Sequence, residues 1–373
     1  MDAKTPGQLL TTLLKDRGWT KRTLALVLGV DESVVTRLVS DKRPITAELG
    51  LVLEEIFTIP AERFLELQKE YDLAMARIAF RPDPGRANRA QIFGALPISE
   101  MVKRGWLRVE NPRDVGEVEG EVARFFNAES VGEVEFLPHA AKRTQLAVNA
   151  TPAQLAWLYR VRAIAEEMLV APFTPAAGRA AIEKLKPLMG APEESRKVPR
   201  ILAEAGVRFV LVESLSSAKI DGACMWLAED APVIGMSMRF DRIDNFWFVL
   251  RHELEHVLCG HGRSAPILDI DLDGRDSGEV VEEEKVANAA ASAFCVPPEK
   301  LAGFIARKAP FFAERDILGF AKTIGVHPGL IAGQLQHQIK RYDLFRSHLV
   351  KIRSSIAPSA MVDGWGDVAP VGM

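Results

Sequence analysis

The sequence predicts a mainly α-helical protein with a small β-sheet, an α+β fold built from several parts. Apolar residues recur at helical spacing over most of the chain. Short β-rich runs are confined to residues 206–238, where they precede another helical stretch. The length of 373 residues exceeds that of one ordinary domain, so we expect more than one.

The overall charge excludes a protein that is basic throughout. The formal net charge is -3 at pH 7, so any nucleic-acid contact must come from a local patch. The three cysteines form no Cys-x-x-Cys pair, which favours a reducing compartment over a disulfide framework. No apolar run reaches the roughly 18 residues of a membrane helix, and the first residues lack an apolar signal region. We therefore expect a cytoplasmic protein without a membrane contact.

Residues 1–79 are predicted to form a compact bundle of about five helices. Thr20 and Asp31 occupy N-cap positions, and Gly29 stands where a helix must end. The segments TKRTLALVLGV and DESVVTRLV then form two helices around a glycine-containing turn. This order is the helix-turn-helix arrangement, in which the second helix lies in the major groove of DNA.

The second helix of this pair presents a polar face. Its apolar residues are spaced to face the bundle, and the predicted DNA-contacting residues on and after the outward face are Ser33, Thr36, Arg37, Ser40, Lys42 and Arg43. Ser33, Thr36 and Arg37 are expected to read base edges, while Lys42 and Arg43 hold phosphates. Residues 15–43 carry seven basic and four acidic side chains, so the local excess of positive charge is modest. An ordinary solvated helix face is the alternative interpretation.

Two further regions separate this bundle from the next motif. Residues 80–94 are predicted to be a linker, because FRPDPGRANR places two prolines and a glycine among arginines. Residues 95–199 are predicted to be a helical middle region without catalytic residues. The β-rich runs GVRFVLVES, ACMWLAE and APVIGMSM follow, and the dipeptides Asp221-Gly222 and Glu229-Asp230 are expected to separate them.

The stretch DNFWFVLRHELEHVLCGH carries the pattern His-Glu-x-x-His on a predicted helix with Asp244 as its cap. Residues four apart lie on one helical face, so His252 and His256 can aim ring nitrogens at one point. Zinc accepts such nitrogens, and Glu253 at the edge of the same face can act as a general base. The pattern therefore predicts a catalytic zinc centre. A solvated acidic helix with incidental histidines is the alternative.

A third protein ligand is expected in the segment GEVVEEEKVANAAASAFCVPPE. His261 is nearer in sequence, but its spacing is unlike that of longer zinc-binding patterns. Glu284 and Asn288 are four apart on a predicted helix, so Glu284 can bind the metal while Asn288 orients a histidine from outside the ligand set. Helix geometry alone leaves Glu282 and Glu283 as rivals of Glu284.

The segment LDIDLDGRD has the spacing that opens a calcium-binding EF-hand loop, with Asp269, Asp271 and Asp273 followed by Gly274. The twelfth position of such a loop should be a bidentate glutamate, but it is Val280. No helix is predicted to lead into the segment. We therefore expect a polar loop beside the cleft and no calcium site.

From FWFVLRHELEHVL through EKVANAAASAFCVPP to GFAKTIGVHPGLIAGQLQ, the chain resembles the ImmA/IrrE family of zinc metallopeptidases. The second motif of that family begins at Glu284 and ends at Pro297 in this chain. The resemblance implies a zincin-like metallopeptidase domain over residues 200–310 and a C-terminal helical region over residues 311–355. It also implies that His252, His256 and Glu284 bind Zn²⁺ and that the substrate is one regulatory protein, cleaved at a specific site.

Two positions depart from this family pattern. Glu255 replaces a small residue and is expected to narrow the cleft or favour basic substrate groups, and Val286 replaces an acidic residue. His327, in GVHPGLIAGQLQ, stands where the family pattern places a histidine that would stabilise the transition state. A helix cap just before Pro328 is the alternative role for His327.

The run from GQLL to LQKEYDLA resembles the Xre-type helix-turn-helix family and, more narrowly, HigA-type antitoxins. The resemblance covers about residues 6–76. It implies a homodimer that binds double-stranded operator DNA, and the HigA likeness also implies a toxin partner.

These features predict a DNA-binding transcriptional regulator that carries a zinc-dependent metallopeptidase domain. The alternative is a HigA-like antitoxin or repressor whose metallopeptidase-like domain is a sensor or scaffold without proteolysis. Residues 356–373 lack periodicity and are expected to form a disordered tail.

Overall fold

The computed structural model describes residues 4–82, 85–134, 150–270 and 282–371. The chain divides into two units, Met1–Pro84 and Gly85–Met373. Helices dominate both units, and the second contains one five-stranded sheet. The predicted fold class, mainly α with a small β-sheet, is confirmed.

The described helices follow one another along both units. The α-helices are α1 (Pro6–Asp16), α2 (Lys21–Leu28), α3 (Glu32–Val39), α4 (Ala47–Phe57), α5 (Ala61–Ala79), α6 (Gly85–Ala95), α7 (Ile98–Lys103), α8 (Val115–Phe125), α9 (Pro152–Glu166), α10 (Pro175–Leu185), α11 (Val198–Glu204), α12 (Ile243–Cys259), α13 (Glu282–Cys295), α14 (Pro298–Lys308), α15 (Glu314–Ile324), α16 (Pro328–Ile339) and α17 (Arg353–Ile356). Short 3-10 helices occupy Val131–Glu133, Lys186–Gly190, Pro192–Lys197, Arg346–His348 and Ala357–Ser359.

The first unit is a bundle of α1 to α5 in which α2 and α3 form the helix-turn-helix. The side chain of Thr20 caps α2 by accepting the backbone N–H of Thr23 at 3.1 Å. Gly29 ends α2 with a φ of 66°, a left-handed conformation that favours glycine. Asp31 holds the N-cap position of α3 but makes no capping hydrogen bond with its side chain. One buried core joins the helices and includes Leu10, Leu24, Val35, Leu38, Leu53 and Phe64.

The second unit is organised around a mixed sheet. Its strands are β1 (Arg208–Val212), β2 (Ile220–Trp226), β3 (Pro232–Met236), β4 (Ile267–Ile270) and β5 (Met361–Asp363). They lie in the order β4-β2-β3-β1-β5. Strand β1 runs parallel to β3 and β5, whereas β2 is antiparallel to β3 and β4.

Helices cover both faces of this sheet. Because successive side chains of a strand point to opposite faces, Phe209 and Leu211 enter one core with α12, while Val210 and Val212 enter another with α9. A strand buried on both faces has no polar side, which explains why β1 is a continuous apolar run in the sequence. This sandwich fixes α12 on one face of the sheet.

The dipeptide Asp221-Gly222 lies inside a strand, so its expected role as a separator is wrong. Strand β2 begins at Ile220, and its register against β4 shifts between Ile220 and Gly222. This irregularity is a β-bulge, and glycine inside a strand often marks a bulge or a close approach of another group. Asp221 is buried there and pairs with Arg239, with 3.1 Å between Oδ1 and Nε.

The predicted linker over residues 80–94 is wrong in its second half, because α6 begins at Gly85. Ile92, on that helix, and Leu96, just beyond its end, are four positions apart and both are buried in the core beside α9. This burial stabilises the helix.

The predicted disordered tail is also wrong, because β5 pairs with β1 at the opposite edge of the sheet from β4. Asp363 of β5 is buried and accepts hydrogen bonds from Trp106 and Arg160. Breaking such a buried ion pair costs about 3–5 kcal/mol, so it anchors the strand. Local periodicity could not reveal a strand that depends on a partner 203 positions away.

Helix α12 is packed on every side, although its start differs from the prediction. Arg242 occupies the N-cap position, and Asp244 lies in the first turn, where a negative charge favours the helix dipole. The buried residues of α12 pack against β2 and β3 on one side and against α13 and α16 on others. Within the described residues, no helix combines the length and the apolar character needed to cross a bilayer.

Candidate metal centre and nucleic-acid interface

Helix α12 brings the two motif histidines together. His252 and His256 are one turn apart and fully buried, and their Nε2 atoms are 3.0 Å apart. The ring of Phe248, one turn earlier, stacks beside that of His252 with 6.2 Å between centroids. Packing inside the core therefore holds both rings in place.

Helix α13 supplies Glu284 to the same point. One carboxylate oxygen of Glu284 lies 3.3 Å from Nε2 of His252, and the other lies 3.4 Å from Nε2 of His256. The rival Glu282 is exposed and pairs with Lys285. The rival Glu283 lies 3.9 Å from His261. Of the three glutamates, Glu284 is the one that reaches both histidines of the motif.

Asp269 is a fourth member of the cluster. It was predicted to lie in a polar loop but lies on β4. Its Oδ2 lies 3.2 Å from Nε2 of His252, and its side chain is 5% exposed. Asp271, Asp273 and Gly274 of the supposed EF-hand opening lie outside the described residues. The alternation of apolar and acidic residues in LDIDLD, residues 268–273, was the signal in the sequence for a strand with Asp269 on one face.

The four side chains could together hold a metal ion. Their ligand atoms all lie within 4.8 Å of one another. With metal–ligand bonds of about 2.0–2.1 Å, neighbouring atoms of a tetrahedron are roughly 3.3 Å apart, and the distances above range from 3.0 to 3.4 Å. Among the described residues, Oδ2 of Asp269 is buried without a hydrogen-bond partner. A cation bound by these groups would compensate for the cost of burying carboxylates so close together.

A histidine, not an asparagine, contacts the ligand set from outside. Nδ1 of His256 lies 3.0 Å from Nδ1 of His261, which follows the end of α12. The backbone carbonyl of His261 in turn accepts the indole N–H of Trp226 at 2.7 Å. Asn288 is half-buried on α13 and makes no hydrogen bond to either ligand histidine within the described part of the chain. It is therefore His261, and not Asn288, that contacts a ligand histidine in this structure.

Glu253 lies against the sheet beside the cluster. It is fully buried, and within the described part of the chain neither of its carboxylate oxygens has a hydrogen-bond partner. A Cβ built at Gly222 would lie 2.1 Å from Oε1 of Glu253 and 2.9 Å from Val249 Cγ1. The bare backbone of β2 at Gly222 thus makes room for the carboxyl group. The register of the sheet places Gly222 directly opposite Asp269.

The electrostatics of the cluster favour a cation. Burial disfavours the charged form of His252, but the nearby carboxylates of Asp269 and Glu284 outweigh it and raise the pKa of His252 to about 9. Burial, followed by the charge of Asp269, raises the pKa of Glu253 well above its usual range. Burial would also raise the pKa of Asp269, but His252 holds it below its usual value. A bound metal ion would replace the proton on His252 as the partner of these carboxylates.

Two other predicted positions have structural partners. Glu255 pairs with Arg251, with 2.6 Å between carboxylate and guanidinium atoms. This pairing neutralises the charge that was expected to select basic substrates. His327 caps α16, because its Nδ1 accepts the N–H of Gly329 at 3.0 Å. Within the described residues, His327 has no hydrogen bond, ion pair or ring contact with the four-residue cluster, so the geometry favours the capping alternative.

The second helix of the helix-turn-helix presents its predicted contact residues to solvent. The side chains of all six are exposed, namely Ser33, Thr36, Arg37, Ser40, Lys42 and Arg43. Val35 and Leu38, on the opposite face, are buried. Within the described part of the first unit, Arg37, Lys42 and Arg43 form no ion pair with an acidic side chain.

One acidic residue near this surface, Asp41, is hydrogen-bonded to residues at the start of α1. Asp41 accepts the hydroxyl hydrogen of Thr5 at 2.6 Å and the backbone N–H of Gly7 at 2.7 Å. These bonds tie the start of α1 to the turn after α3.

Comparison with known proteins gives one partial match. No protein-family model matches the chain. Over 77 residues, the chain is 38% identical to the protein "Virulence-associated protein I" of Dichelobacter nodosus. The matched segment is 20% of this chain and 71% of that protein.

The close approach at Gly222 predicts a cost for any side chain there. In Gly222→Ala, the new methyl group would collide with Glu253 and Val249, neither of which has free space to retreat. We expect the free energy of unfolding to fall by about 1–3 kcal/mol. Denaturant unfolding of the full chain measures the change.

Gly319→Ala is the matched control. Gly319 lies inside α15, and no atom outside its own helix and chain neighbours lies within 4 Å of a Cβ built there. Because alanine favours a helix over glycine, this variant should gain up to about 1 kcal/mol. If Gly222→Ala proved as stable as the wild type, Glu253 would not be confined against β2.

Proposed function

The chain belongs, over those 77 residues, to the family of virulence-associated protein I, and we propose that it is a DNA-binding transcriptional regulator that carries a zinc-dependent peptidase centre. The observation that carries the proposal is the cluster of the buried His252 and His256 with the half-buried Glu284, beside Glu253, whose oxygens have no hydrogen-bond partner among the described residues. We propose Zn²⁺ as the metal, since two imidazoles with carboxylates suit zinc and the spacing suits a tetrahedron.

His252, His256 and Glu284 would hold the zinc ion, which acts as a Lewis acid and makes water a better nucleophile at neutral pH. Helix α12 presents both imidazoles, and His261 fixes the ring of His256 from the side away from the cluster. Glu284 contributes a carboxylate from α13, so the centre joins two helices. His252, His256 and Glu284 would therefore bind the metal, and His261 would orient the ring of His256.

Glu253 has the position expected of a general base. Among the described residues, its side chain makes neither an ion pair nor a hydrogen bond. Burial and the charges of Asp269 and Glu284 raise the pKa of its carboxyl group, so a proton taken from water could reside on it. Burial and negative neighbours favour the protonated form after transfer, and a nearby cation favours the ionised form before it.

The first unit would deliver this centre to DNA. Arg37 lies on the exposed face of α3 with Ser33 and Thr36, where it can read bases, and Lys42 and Arg43 follow where phosphates would lie. Binding double-stranded operator DNA as a homodimer would concentrate the peptidase near a promoter-bound regulatory protein. We propose such a protein as the substrate and the cytoplasm as the location.

A scaffold without proteolysis is the second candidate function. The observation that favours it is Asp269, because four protein ligands around zinc are typical of structural sites. In that case the chain would act as a HigA-like repressor or antitoxin, with a toxin as its partner. The two candidates differ in whether Glu253 has any function beyond packing.

Glu253→Gln separates these candidates. The amide has the shape of the carboxyl group but cannot accept a proton from water, so we expect the fold and the zinc to be retained. Hydrolysis should fall by about 10²–10⁴ in rate. The measurement follows new protein N-termini in stressed cells by mass spectrometry, together with expression of the neighbouring genes.

Glu282→Gln is the control, since it makes the same chemical change at an exposed position of α13. It should leave the new N-termini and expression unchanged. Wild type and Glu253→Gln giving identical N-termini and identical expression would contradict a peptidase and favour the scaffold.

Two variants on the first unit test the DNA interface in the full chain. Arg37→Ala should lose about 1–3 kcal/mol of binding to the preferred sequence and relax the choice of base. Lys42→Ala should weaken all sequences alike and reduce the salt dependence of binding. Fluorescence anisotropy with DNA from upstream of the protein's own gene, and with scrambled DNA, measures both effects. Equal losses on both DNAs for Arg37→Ala would show that Arg37 contacts only the backbone.

A further inference from the structure

We propose that Asp269 is a displaceable fourth metal ligand, which closes the zinc centre in the conformation seen here and must withdraw with β4 before a substrate can reach the metal. The inference rests on the proposed zinc centre and concerns its regulation. It assigns a role to a residue outside the His-Glu-x-x-His motif and the Glu284 helix.

The register of the sheet aims Asp269 at the metal position. In an antiparallel pair, residues directly opposite each other point to the same face. Asp269 is opposite Gly222, whose missing side chain would point at Glu253 and Val249 of α12. Asp269 therefore projects towards α12, and its Oδ2 reaches to 3.2 Å from His252.

The remaining ligands leave one position for Asp269 to fill. Three protein ligands come from α12 and α13, and a catalytic zinc keeps the fourth position for water or substrate. Asp269 Oδ2 is buried, lacks a hydrogen bond and lies within 4.8 Å of the other three ligand atoms. A carboxylate in this place would complete the tetrahedron and exclude an outside ligand.

Strand β4, which carries Asp269, is held less firmly than α12, which carries the two histidine ligands. Strand β4 has four residues and lies at the edge of the sheet, where it pairs only with β2. The β-bulge at Asp221 interrupts that pairing next to Asp269. Ile270 is 46% exposed, so little apolar burial holds this end of the strand. By contrast, α12 lies in the main core. The two histidine ligands that it carries therefore cannot leave the metal without disrupting that core.

Local separation of β4 from β2 is thus the least costly way to open the centre. Short edge elements with few buried apolar contacts open at lower free energy than core helices do. Withdrawal of Asp269 would leave His252, His256 and Glu284 on the metal. The three-ligand centre required for hydrolysis would then form without unfolding the rest of the unit.

Cobalt substitution of the full-length protein tests the closed position. The visible absorption of Co²⁺ reports on its ligands, and azide serves as a small outside ligand. In wild type, azide should leave the spectrum unchanged, because Asp269 occupies the fourth position. In Asp269→Ala, azide should change the spectrum in a saturable manner.

Zinc affinity gives a second readout that does not depend on hydrolysis. Even outer-shell partners of metal ligands change affinity by about 10- to 100-fold, so losing a direct ligand in Asp269→Ala should raise the zinc dissociation constant at least about tenfold. Asp269→Asn keeps the shape of the side chain and gives the same comparison if the alanine variant folds poorly. Glu282→Ala removes an exposed acidic residue from α13 and should change neither readout.

The outcomes separate this inference from the proposed function. If azide changed the wild-type spectrum as much as that of Asp269→Ala, the fourth position would be open and the inference would be wrong. Unchanged zinc affinity in both Asp269 variants would also overturn it while leaving a three-ligand zinc centre intact. If wild type bound neither Co²⁺ nor Zn²⁺, the zinc centre itself would fail, and Asp269 would have no metal to close.

Discussion

The buried face of α12 is the constraint on which the second unit depends. It places two imidazoles and a carboxyl group in the core, where polar groups without partners are costly. Among the described residues, His252 Nδ1 and both oxygens of Glu253 have no hydrogen-bond partner that would offset this cost. The other imidazole nitrogen, Nε2 of His252, is approached by Glu284 of α13 and by Asp269 of β4.

The sheet is shaped by the same requirement. Gly222 gives β2 a backbone without a side chain where Glu253 approaches, and the bulge at Asp221 changes the register just before it. At the other edge of the sheet, formed by β5, the buried charged groups are paired within the protein. There, Asp363 and Arg160 form a satisfied buried pair that anchors β5. One edge of the sheet is thus held firmly, and the other carries a short strand beside the candidate metal centre.

The sequence predicted the parts of this centre that depend on local spacing. Helical periodicity is enough to place His252 beside His256, and motif order led to Glu284. Local sequence patterns could not place Asp269. Its position depends on the pairing of β4 with β2 and on a bulge at Asp221-Gly222, a dipeptide typical of turns. The contact of His261 with His256 depends on the path of the chain after Gly260, which ends α12 in a left-handed conformation. Long-range pairs such as Arg160 with Asp363 leave no local pattern.

The zinc content of the purified full-length chain tests the central claim most directly. We expect about one zinc per wild-type chain by elemental analysis and a loss of that zinc in His252→Ala and in Glu284→Ala. Cys259→Ala, which removes an exposed thiol from the end of α12, should keep the metal and controls for adventitious binding. Wild-type protein without zinc after purification in zinc-containing buffer, or zinc that persists in both His252→Ala and Glu284→Ala, would contradict a metal centre at this cluster.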